Sequence, residues 1–399
     1  MNTFRLVIAQ LRRRPLQSAL GVVLLALGIA TLVFVIVIQS QLTRQLERDA
    51  RNVDLVVGAK GSPLQLVLSA VYQVDVPTGN VPLAAVDLLR GNRLIAQAVP
   101  LSVGDSFRGF RIVGTEPSFL ELHAATVAAG RLWSEPMEAV IGAEVARSVQ
   151  FGPGSEFLGT HGLAEGGATH EDAKYRVVGV LSPTGSVIDR LVLTDKASVW
   201  RVHEGEAEDE TERKVLEAER EVTAVLVRYA SPMGAAIVPR QVNAEHRLMA
   251  ASPANEIARL FAVVGVGIET MRGFAWILVA MSLLALFVTL FNALEERRYD
   301  VAIMRLLGAS QARVAWLLLL EAWLLAFMAI VLGLALGLGA VALVGQWMAQ
   351  ARAFTLSASA TGPALGLIVG VALVVATLAA AVPTWRASRM DISKTLAQG

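Results

Sequence analysis

The side chains that could do chemistry in this 399-residue chain form none of the common catalytic motifs. The segment 58–62, Gly-Ala-Lys-Gly-Ser, has the letters of a phosphate-binding loop but lacks the four residues that separate its two glycines. Neither H-E-x-x-H nor G-x-S-x-G occurs, so the usual zinc-peptidase and serine-hydrolase motifs are missing. The chain has no cysteine, which excludes thiol nucleophiles and disulfides. We therefore expect no catalytic activity and no ATP hydrolysis by this chain.

The histidines are the residues that could bind a metal. All five lie between residues 123 and 246, and three are near an acidic residue, a combination that suits a divalent cation. They are His123, His161, His170, His203 and His246. Much of the remaining chain consists of apolar runs that exclude histidine anyway, so the clustering is weak evidence. We expect no metal site.

Glu321 is the only acidic residue inside a long apolar run, which makes it a candidate functional acid, because a carboxylate at membrane depth is costly. It follows Arg313 by a helical distance of about 12 Å. That distance favours a structural position near the membrane surface over a role in proton transfer.

The segment 295–313, EERRYDVAIMRLLGASQAR, is charged and amphipathic and lies between two long apolar runs. If residues 297–309 are helical, four apolar side chains share one face at i, i+4, i+7 and i+8 spacing. They are Tyr299, Ile303, Leu306 and Leu307. Gly308 would end this helix in the left-handed conformation that glycine favours, and Ser310 would begin the next helix as its N-cap. The pattern predicts a short helix at a membrane surface, with an apolar face that can bind a partner.

Four runs are long and apolar enough to cross a bilayer, whose core of about 30 Å requires roughly 20 helical residues. They cover residues 15–43, 272–294, 314–346 and 362–385. A cleaved signal peptide is the alternative for the first run, but a signal peptide has a shorter apolar region followed by a small-x-small site. We expect four transmembrane helices, the first of which continues into a stalk.

Charge distribution predicts the orientation of these spans. The segments 1–14, 295–313 and 386–399 together hold 11 basic and 4 acidic residues, whereas residues 44–271 hold 22 basic and 29 acidic ones. Because basic residues beside apolar spans mark the cytoplasmic side, both termini and the 295–313 segment are expected in the cytoplasm. Residues 44–271 and 347–361 are then extracytoplasmic in an inner (plasma) membrane protein. The basic clusters lack interleaved aromatic residues, so we expect no nucleic-acid binding.

The region 44–271 predicts a folded α+β domain. Six segments with apolar alternation are expected to be strands: 94–103, 109–115, 138–142, 174–181, 190–194 and 222–229. Helices are expected at 41–53, 143–150 and 253–271. The expected fold is therefore an α-helical membrane protein with four transmembrane helices and a large α+β extracytoplasmic domain between the first and second helices.

Two stretches of this region leave their role open. Residues 56–80 are largely apolar, and they form either a surface that faces a substrate or partner, or a buried helix or strand. Residues 203–221 include nine acidic residues and are expected to form a solvated loop or helix face.

Glycines recur at four-residue spacing in the third and fourth spans, which places them on one helix face and lets two backbones approach closely. They are Gly333, Gly337, Gly362, Gly366 and Gly370. Packing between spans is one interpretation, and the ordinary abundance of glycine in membrane helices is the other.

The 295–313 segment resembles, almost residue for residue, the charged loop of the FtsX-like and MacB-like permeases of ABC transporters. Three further segments are similar to motifs of the MacB-like periplasmic core domain: 130–133 (GRLW), 139–146 (AVIGAEVA) and 175–181 (YRVVGVL). The resemblance covers nearly the whole chain. Its most specific part is the charged loop together with the glycine-rich span that follows.

The resemblance implies that this loop receives the motion of an ATPase. The residues implied in that coupling are Arg298, Tyr299, Asp300, Ile303, Met304, Arg305, Leu306, Leu307 and Gly308. Because no ATPase domain is fused to the chain, we expect a separate ATPase subunit in two copies, which would bind the ATP and Mg²⁺. This chain itself is expected to bind no cofactor. A second copy of the permease or a similar permease, together with the lipid bilayer, completes the implied partners.

Three outputs are open within this family. The ATP-driven motion could export periplasmic cargo, extract lipoproteins from the membrane, or activate a periplasmic partner without transport. The size of the 44–271 domain favours the first two. A membrane-anchored sensor or scaffold that works without an ATPase is the alternative from another class of protein.

Overall fold

The computed structural model describes residues 15–161, 169–204, 220–296, 298–350 and 362–388. The chain divides into two compact units. We call Leu42–Val263 the inter-span domain, and the described residues of 1–41 and 264–399 the membrane unit. Each unit has its own apolar core.

The described helices, in chain order, are α1 (Pro15–Asp49), α2 (Pro63–Ala70), α3 (Ala84–Arg90), α4 (Ser118–Leu122), α5 (Ala143–Val149), α6 (Lys196–Glu204), α7 (Met233–Ala244), α8 (Pro253–Glu296), α9 (Arg298–Leu306), α10 (Gln311–Gln350) and α11 (Gly362–Ser388). The described strands are β1 (Leu55–Ala59), β2 (Val81–Pro82), β3 (Ile95–Phe107), β4 (Phe110–Thr115), β5 (Val127–Gly130), β6 (Glu138–Ile141), β7 (Glu156–His161), β8 (Thr169–Leu181), β9 (Leu191–Asp195), β10 (Glu221–Val222), β11 (Ala224–Tyr229) and β12 (Leu248–Ala251).

Four of these helices, α1, α8, α10 and α11, are long and apolar enough to cross a membrane. Polar clusters mark the two ends of the apolar part of α8. At one end, Arg272 donates to Glu269 at 2.6 Å and to Gln39 of α1 at 3.0 Å. At the other end, Glu295 pairs with Arg298 at 3.0 Å. Residues 272 and 295 are about 34 Å apart along a helix, close to the bilayer core of about 30 Å.

Within the membrane unit, α1 packs against both α8 and α10 at glycines. A Cβ added at Gly28 would lie 3.1 Å from Val279 of α8. A Cβ added at Gly333 of α10 would lie 2.7 Å from the Cβ of Ile29, and one added at Gly337 would lie 2.8 Å from a valine of α1. Gly333 and Gly337 therefore allow the close helix contact that their spacing suggested.

The same spacing in α11 does not form a contact within one chain. No heavy atom lies within 4 Å of a Cβ added at Gly366 or Gly370, so these two positions are open among the described residues. Their helix face has no neighbour in the described part of the chain, and packing at these two glycines stays a prediction. The side-chain position of Gly362 falls outside the described residues.

Strand β3 organises the inter-span domain, because its 13 residues join two groups of strands. Its first half pairs with β11, and the antiparallel order continues through β1 to β12. Its second half belongs to a ring in which β3, β4, β9, β6, β8 and β7 pair in turn and β7 pairs again with β3. Strand β5 adds to β8, and β2 pairs with β10 in a separate sheet.

The largest apolar core of the inter-span domain includes residues from both helices that connect it to the spans. Leu46, near the end of α1, and Ile257, near the start of α8, are buried in this core together with Tyr72 and Phe119. Both helices thus continue without interruption from their apolar spans into the folded domain.

The six strands predicted from the sequence are present as β3, β4, β6, β8, β9 and the β10–β11 pair. The predicted helices correspond to the end of α1, to α5 and to the start of α8. For residues 56–80 the buried alternative holds over β1 and α2, where Val56 and Leu66 are buried, while Val74 and Val76 remain exposed. Most of the acidic stretch 203–221 lies outside the described residues.

Candidate functional site at the short amphipathic helix

Helix α9 has one buried face and one exposed apolar face. Val301 is buried against Leu294, Val314 and Leu318 of the adjoining helices α8 and α10, with Met304 packed partly against them. The opposite face exposes the four apolar side chains that the sequence places together. Their exposed fractions are 49% for Tyr299, 37% for Ile303, 64% for Leu306 and 80% for Leu307. We call these four residues the α9 face.

Gly308 ends the helix as the sequence predicts. Its φ of +96° lies in the left-handed region, which costs glycine nothing. The N–H of Ala309 donates to the carbonyl of Met304 at 2.9 Å, and the N–H of Gly308 donates to that of Arg305 at 3.1 Å. These are the two hydrogen bonds of a Schellman cap, and they explain why the helix stops at Leu306 rather than at 309.

Ser310 begins α10 as its N-cap, since its Oγ accepts from the N–H of Arg313 at 3.3 Å. The turn between α9 and α10 is therefore only four residues long, 307–310, and is fixed at both ends by hydrogen bonds. A force on α9 would reach α10 directly through this short connection.

Ion pairs tie the base of α9 to two long helices. Glu295, at the end of α8, pairs with Arg298 of α9 at 3.0 Å and with Arg386 of α11 at 3.6 Å. The Arg386 guanidinium also lies 5.0 Å from the centre of the Phe291 ring. All of these groups are partly exposed, so each pair contributes at most about 1 kcal/mol. Their main effect is to hold α9 in register with its neighbours.

The remaining coupling residues differ in what the structure shows of them. Arg305 lies in the last turn of α9, where its charge suits the negative end of the helix dipole. The side chain of Asp300 lies outside the described residues. An exposed apolar stripe on a short helix with capped ends suits insertion into a groove on another protein.

Glu321 is buried, with 3% of its surface exposed, so it faces neither lipid nor water in the membrane unit. Its role as a functional acid stays a prediction. Among the described residues there is no group of three or more His, Asp or Glu side chains that could hold a metal ion. The side chains of His161, His170 and His203 lie outside that set.

A second constellation, which sequence reasoning did not predict, connects the three family-like segments of the inter-span domain. Glu138 accepts from Arg131 at 2.5 Å and from Arg176 at 3.0 Å. These guanidinium groups hold the pKa of the Glu138 carboxyl far below its usual range. Each residue comes from, or directly adjoins, one of the segments 130–133, 139–146 and 175–181.

Glycines of the same segments lie where backbones nearly touch. A Cβ added at Gly130 would lie 2.1 Å from the carbonyl oxygen of Val178, and one added at Gly179 would lie 2.3 Å from that of Arg131. The glycines that recur in these segments were the sequence signal for this constellation. Their mutual contact, however, depends on the pairing of β5 and β6 with β8.

The described residues thus form four long apolar helices, an inter-span domain after the first of them, and an exposed amphipathic helix after the second. Family comparisons give the particular assignment. The model of the MacB-like periplasmic core domain matches residues 18–245, and the model of the FtsX-like permease C-terminal region matches residues 272–392. The chain therefore belongs to the FtsX-like and MacB-like permease family. It is a multi-pass inner-membrane subunit of an ABC transporter.

Solved structures to which this chain is similar include the periplasmic region of MacB from Actinobacillus actinomycetemcomitans. It is 9% identical, with a TM-score of 0.35, and the match covers 53% of this chain and 95% of that one. Another is the extracellular domain of the noncanonic ABC-type transporter YknZ from Gram-positive bacteria. It is 12% identical, with a TM-score of 0.31, and the match covers 50% of this chain and 99% of that one. Curated protein sequences give no significant match.

Proposed function

We propose that this chain transmits ATP-driven motion from a separate cytoplasmic ATPase through its membrane helices to its inter-span domain. The output is export or extraction of a periplasmic or membrane-embedded substrate. The observation that carries the proposal is the α9 face: four apolar side chains, exposed together on a helix whose other face is buried. Exposed apolar side chains that share one face mark an interaction site.

The connection of α9 to the rest of the chain supports this role. α9 follows α8 closely and joins α10 through the capped turn 307–310, and Glu295 links its base to α11. At its other end α8 runs into the core of the inter-span domain. A displacement of α9 thus acts on α8, which continues into the inter-span domain, and on α10, which packs against α1.

The orientation and the cofactor assignment belong to the same proposal. With the basic segments inside, α9 and both termini face the cytoplasm and the inter-span domain faces the periplasm. ATP and Mg²⁺ bind the partner, with two ATPase subunits serving a pair of permeases, either two copies of this chain or this chain and a similar one.

Ile303→Asp tests the docking role, because it places a charge in the centre of the α9 face without breaking the helix. Ala312→Asp is the matched control: it adds the same charge in the exposed first turn of α10, outside that face. The full-length chain is purified from its native membrane and its ATPase subunit is quantified. We expect Ile303→Asp to reduce the bound ATPase roughly 10-fold or more, since burying a charge without a partner costs more than about 1.4 kcal/mol.

Ala312→Asp should retain the ATPase at the wild-type level. Normal recovery of the ATPase with Ile303→Asp would show that docking occurs elsewhere. The chain purified without its partner should not hydrolyse ATP. ATP turnover by the single chain would contradict the assignment of hydrolysis to a separate ATPase subunit.

A further inference from the structure

The end of α1 is joined to the inter-span domain by a buried polar contact. Asp49, the last residue of α1, is fully buried. Its Oδ1 accepts from the backbone N–H of Val187 at 2.7 Å and from the Nε2 of Gln45 at 3.0 Å. Gln45 also donates to the carbonyl of Gly185 at 3.2 Å. Two side chains on successive turns of α1 therefore hold one short segment, residues 184–190, which we call the Asp49 loop.

The Asp49 loop is stiffened by its own acid. The carboxylate of Asp189 accepts from the N–H of Thr184 at 2.9 Å, from its hydroxyl at 2.9 Å and from the N–H of Gly185 at 2.8 Å. The opposite charges of Asp49 and Arg190 attract each other across the contact. A loop closed by this many directional bonds moves as one body when Asp49 moves.

The Asp49 loop continues directly into β9, which lies inside the strand ring between β4 and β6. The start of α5 contacts this region too: the N–H of Gly142 donates to the carbonyl of Leu191, the first residue of β9, at 2.9 Å. A Cβ added at Gly142 would lie 2.3 Å from the carbonyl oxygen of Ile188. Movement of the loop is therefore passed on to the middle of the ring.

α8 enters the same domain in a different way. Ile257 is buried in the apolar core, and Leu260 and Phe261 pack partly against it. The buried acid in its first turn, Glu256, pairs with Arg259 of the same helix at 3.6 Å. Among the described residues, no side chain of 253–263 hydrogen-bonds to another element of the domain. The start of α8 is therefore held by apolar contacts and by its chain connection to β12, from which Ser252 alone separates it.

We propose that α1 drives the inter-span domain through Asp49. Asp49 is thus a positioning residue: it couples the last turn of α1, inside the inter-span domain, to β9. This inference rests on the proposed function, since it assigns a route to the motion that the ATPase supplies.

Hydrogen exchange measured by mass spectrometry tests this route in the full-length chain with its co-purified ATPase. Exchange of residues 183–195 is compared with and without a non-hydrolysable ATP analogue and Mg²⁺. In the wild type, the nucleotide should change exchange in this segment. Asp49→Ala should abolish that change while α9 still responds. Asp49→Asn should restore it, because the amide oxygen can still accept from Val187. Without nucleotide, exchange of the Val187 amide should be roughly 10- to 100-fold faster in Asp49→Ala.

Glu256→Gln is the matched control, since it neutralises the buried acid at the start of α8 and should leave the nucleotide response of 183–195 intact. Gln45→Ala removes the second bond to the loop without emptying the buried Asp49 site, and should weaken the response even if Asp49→Ala fails to fold. The Asp49 route would be overturned if the nucleotide response of residues 183–195 were unchanged in both Asp49→Ala and Gln45→Ala. It would also be overturned if that response were lost with Glu256→Gln alone.

The wild-type result distinguishes a failure of the Asp49 route from a failure of the proposed function. A nucleotide response elsewhere in Leu42–Val263 but not in 183–195 would refute the Asp49 route and leave the proposed function standing. No nucleotide response anywhere in the inter-span domain would refute the proposed function and the route with it.

Discussion

Acidification should destabilise the inter-span domain through His123, which follows α4. The side chain is 8% exposed and lies 4.7 Å, ring centre to ring centre, from Phe119. Its Nδ1 is buried without a hydrogen-bond partner in the described part of the chain. Burial lowers the pKa of His123 from its ordinary 6.5 to about 4, because the charged imidazolium would lose its hydration.

The sign and size of the stability change follow from the difference between the pKa of His123 in the folded chain and in the unfolded chain. The unfolded chain binds a proton at His123 near pH 6.5, whereas the folded chain resists binding it until about pH 4. Stability is thus unaffected above pH 6.5 and falls progressively between pH 6.5 and pH 4, below which the loss is complete. The full loss of stability is about 3 kcal/mol, since a difference of one unit in pKa between the folded and unfolded chain corresponds to about 1.4 kcal/mol.

Urea unfolding of the full-length chain in detergent, followed by pulse proteolysis of the inter-span domain, measures this effect at pH 7 and pH 4. Other groups titrate over the same range, so the comparison is with His123→Leu, which fills a similar volume and cannot be protonated. The wild type should lose about 3 kcal/mol more than His123→Leu between the two pH values. Identical losses in both proteins would refute the assignment of the proton to His123.

Two further predictions follow from the membrane unit and the charge distribution. Gly337→Ala should destabilise the chain by about 1–3 kcal/mol, because its Cβ would be crowded by α1. Gly339→Ala on the same helix has open space and should be neutral or stabilising by up to about 1 kcal/mol. Equal shifts of the melting temperature in detergent would contradict the α1–α10 contact. Single cysteines at Ser310 and Ser231, introduced into a chain without native cysteine, should react with a membrane-impermeant thiol reagent from opposite sides, and labelling of both from outside would reject the proposed topology.

The membrane helices and most strands could be predicted from the sequence, because their signals are local. Runs of apolar residues define α1, α8, α10 and α11, and alternation defines strands such as β4 and β9. Strands with weaker alternation, such as β7 and β12, are not evident, because they are fixed by pairing with distant strands. The cap at Gly308 was equally local, since only the residue types around the end of a short helix decide it.

The contacts that connect elements could not be predicted in the same way. Gly333 and Gly370 occur in the same spacing pattern, yet among the described residues Gly333 meets another helix and Gly370 does not, because the spacing defines a face and not its neighbour. The pairing of Glu138 with Arg131 and Arg176, and the bond from Val187 to Asp49, likewise join residues that only the folded sheet brings together.

Photo-crosslinking from the α9 face tests directly whether a separate ATPase docks on this helix. A photoreactive amino acid is placed at Leu307, the most exposed residue of that face, and separately at Ala312 as the control, and the full-length chain is irradiated in its native membrane. We expect Leu307 to give an adduct with a separate protein that contains a phosphate-binding loop, and we expect this adduct to be lost when Ile303→Asp is added. Adducts only with lipid or with another copy of this chain would contradict the coupling role of α9.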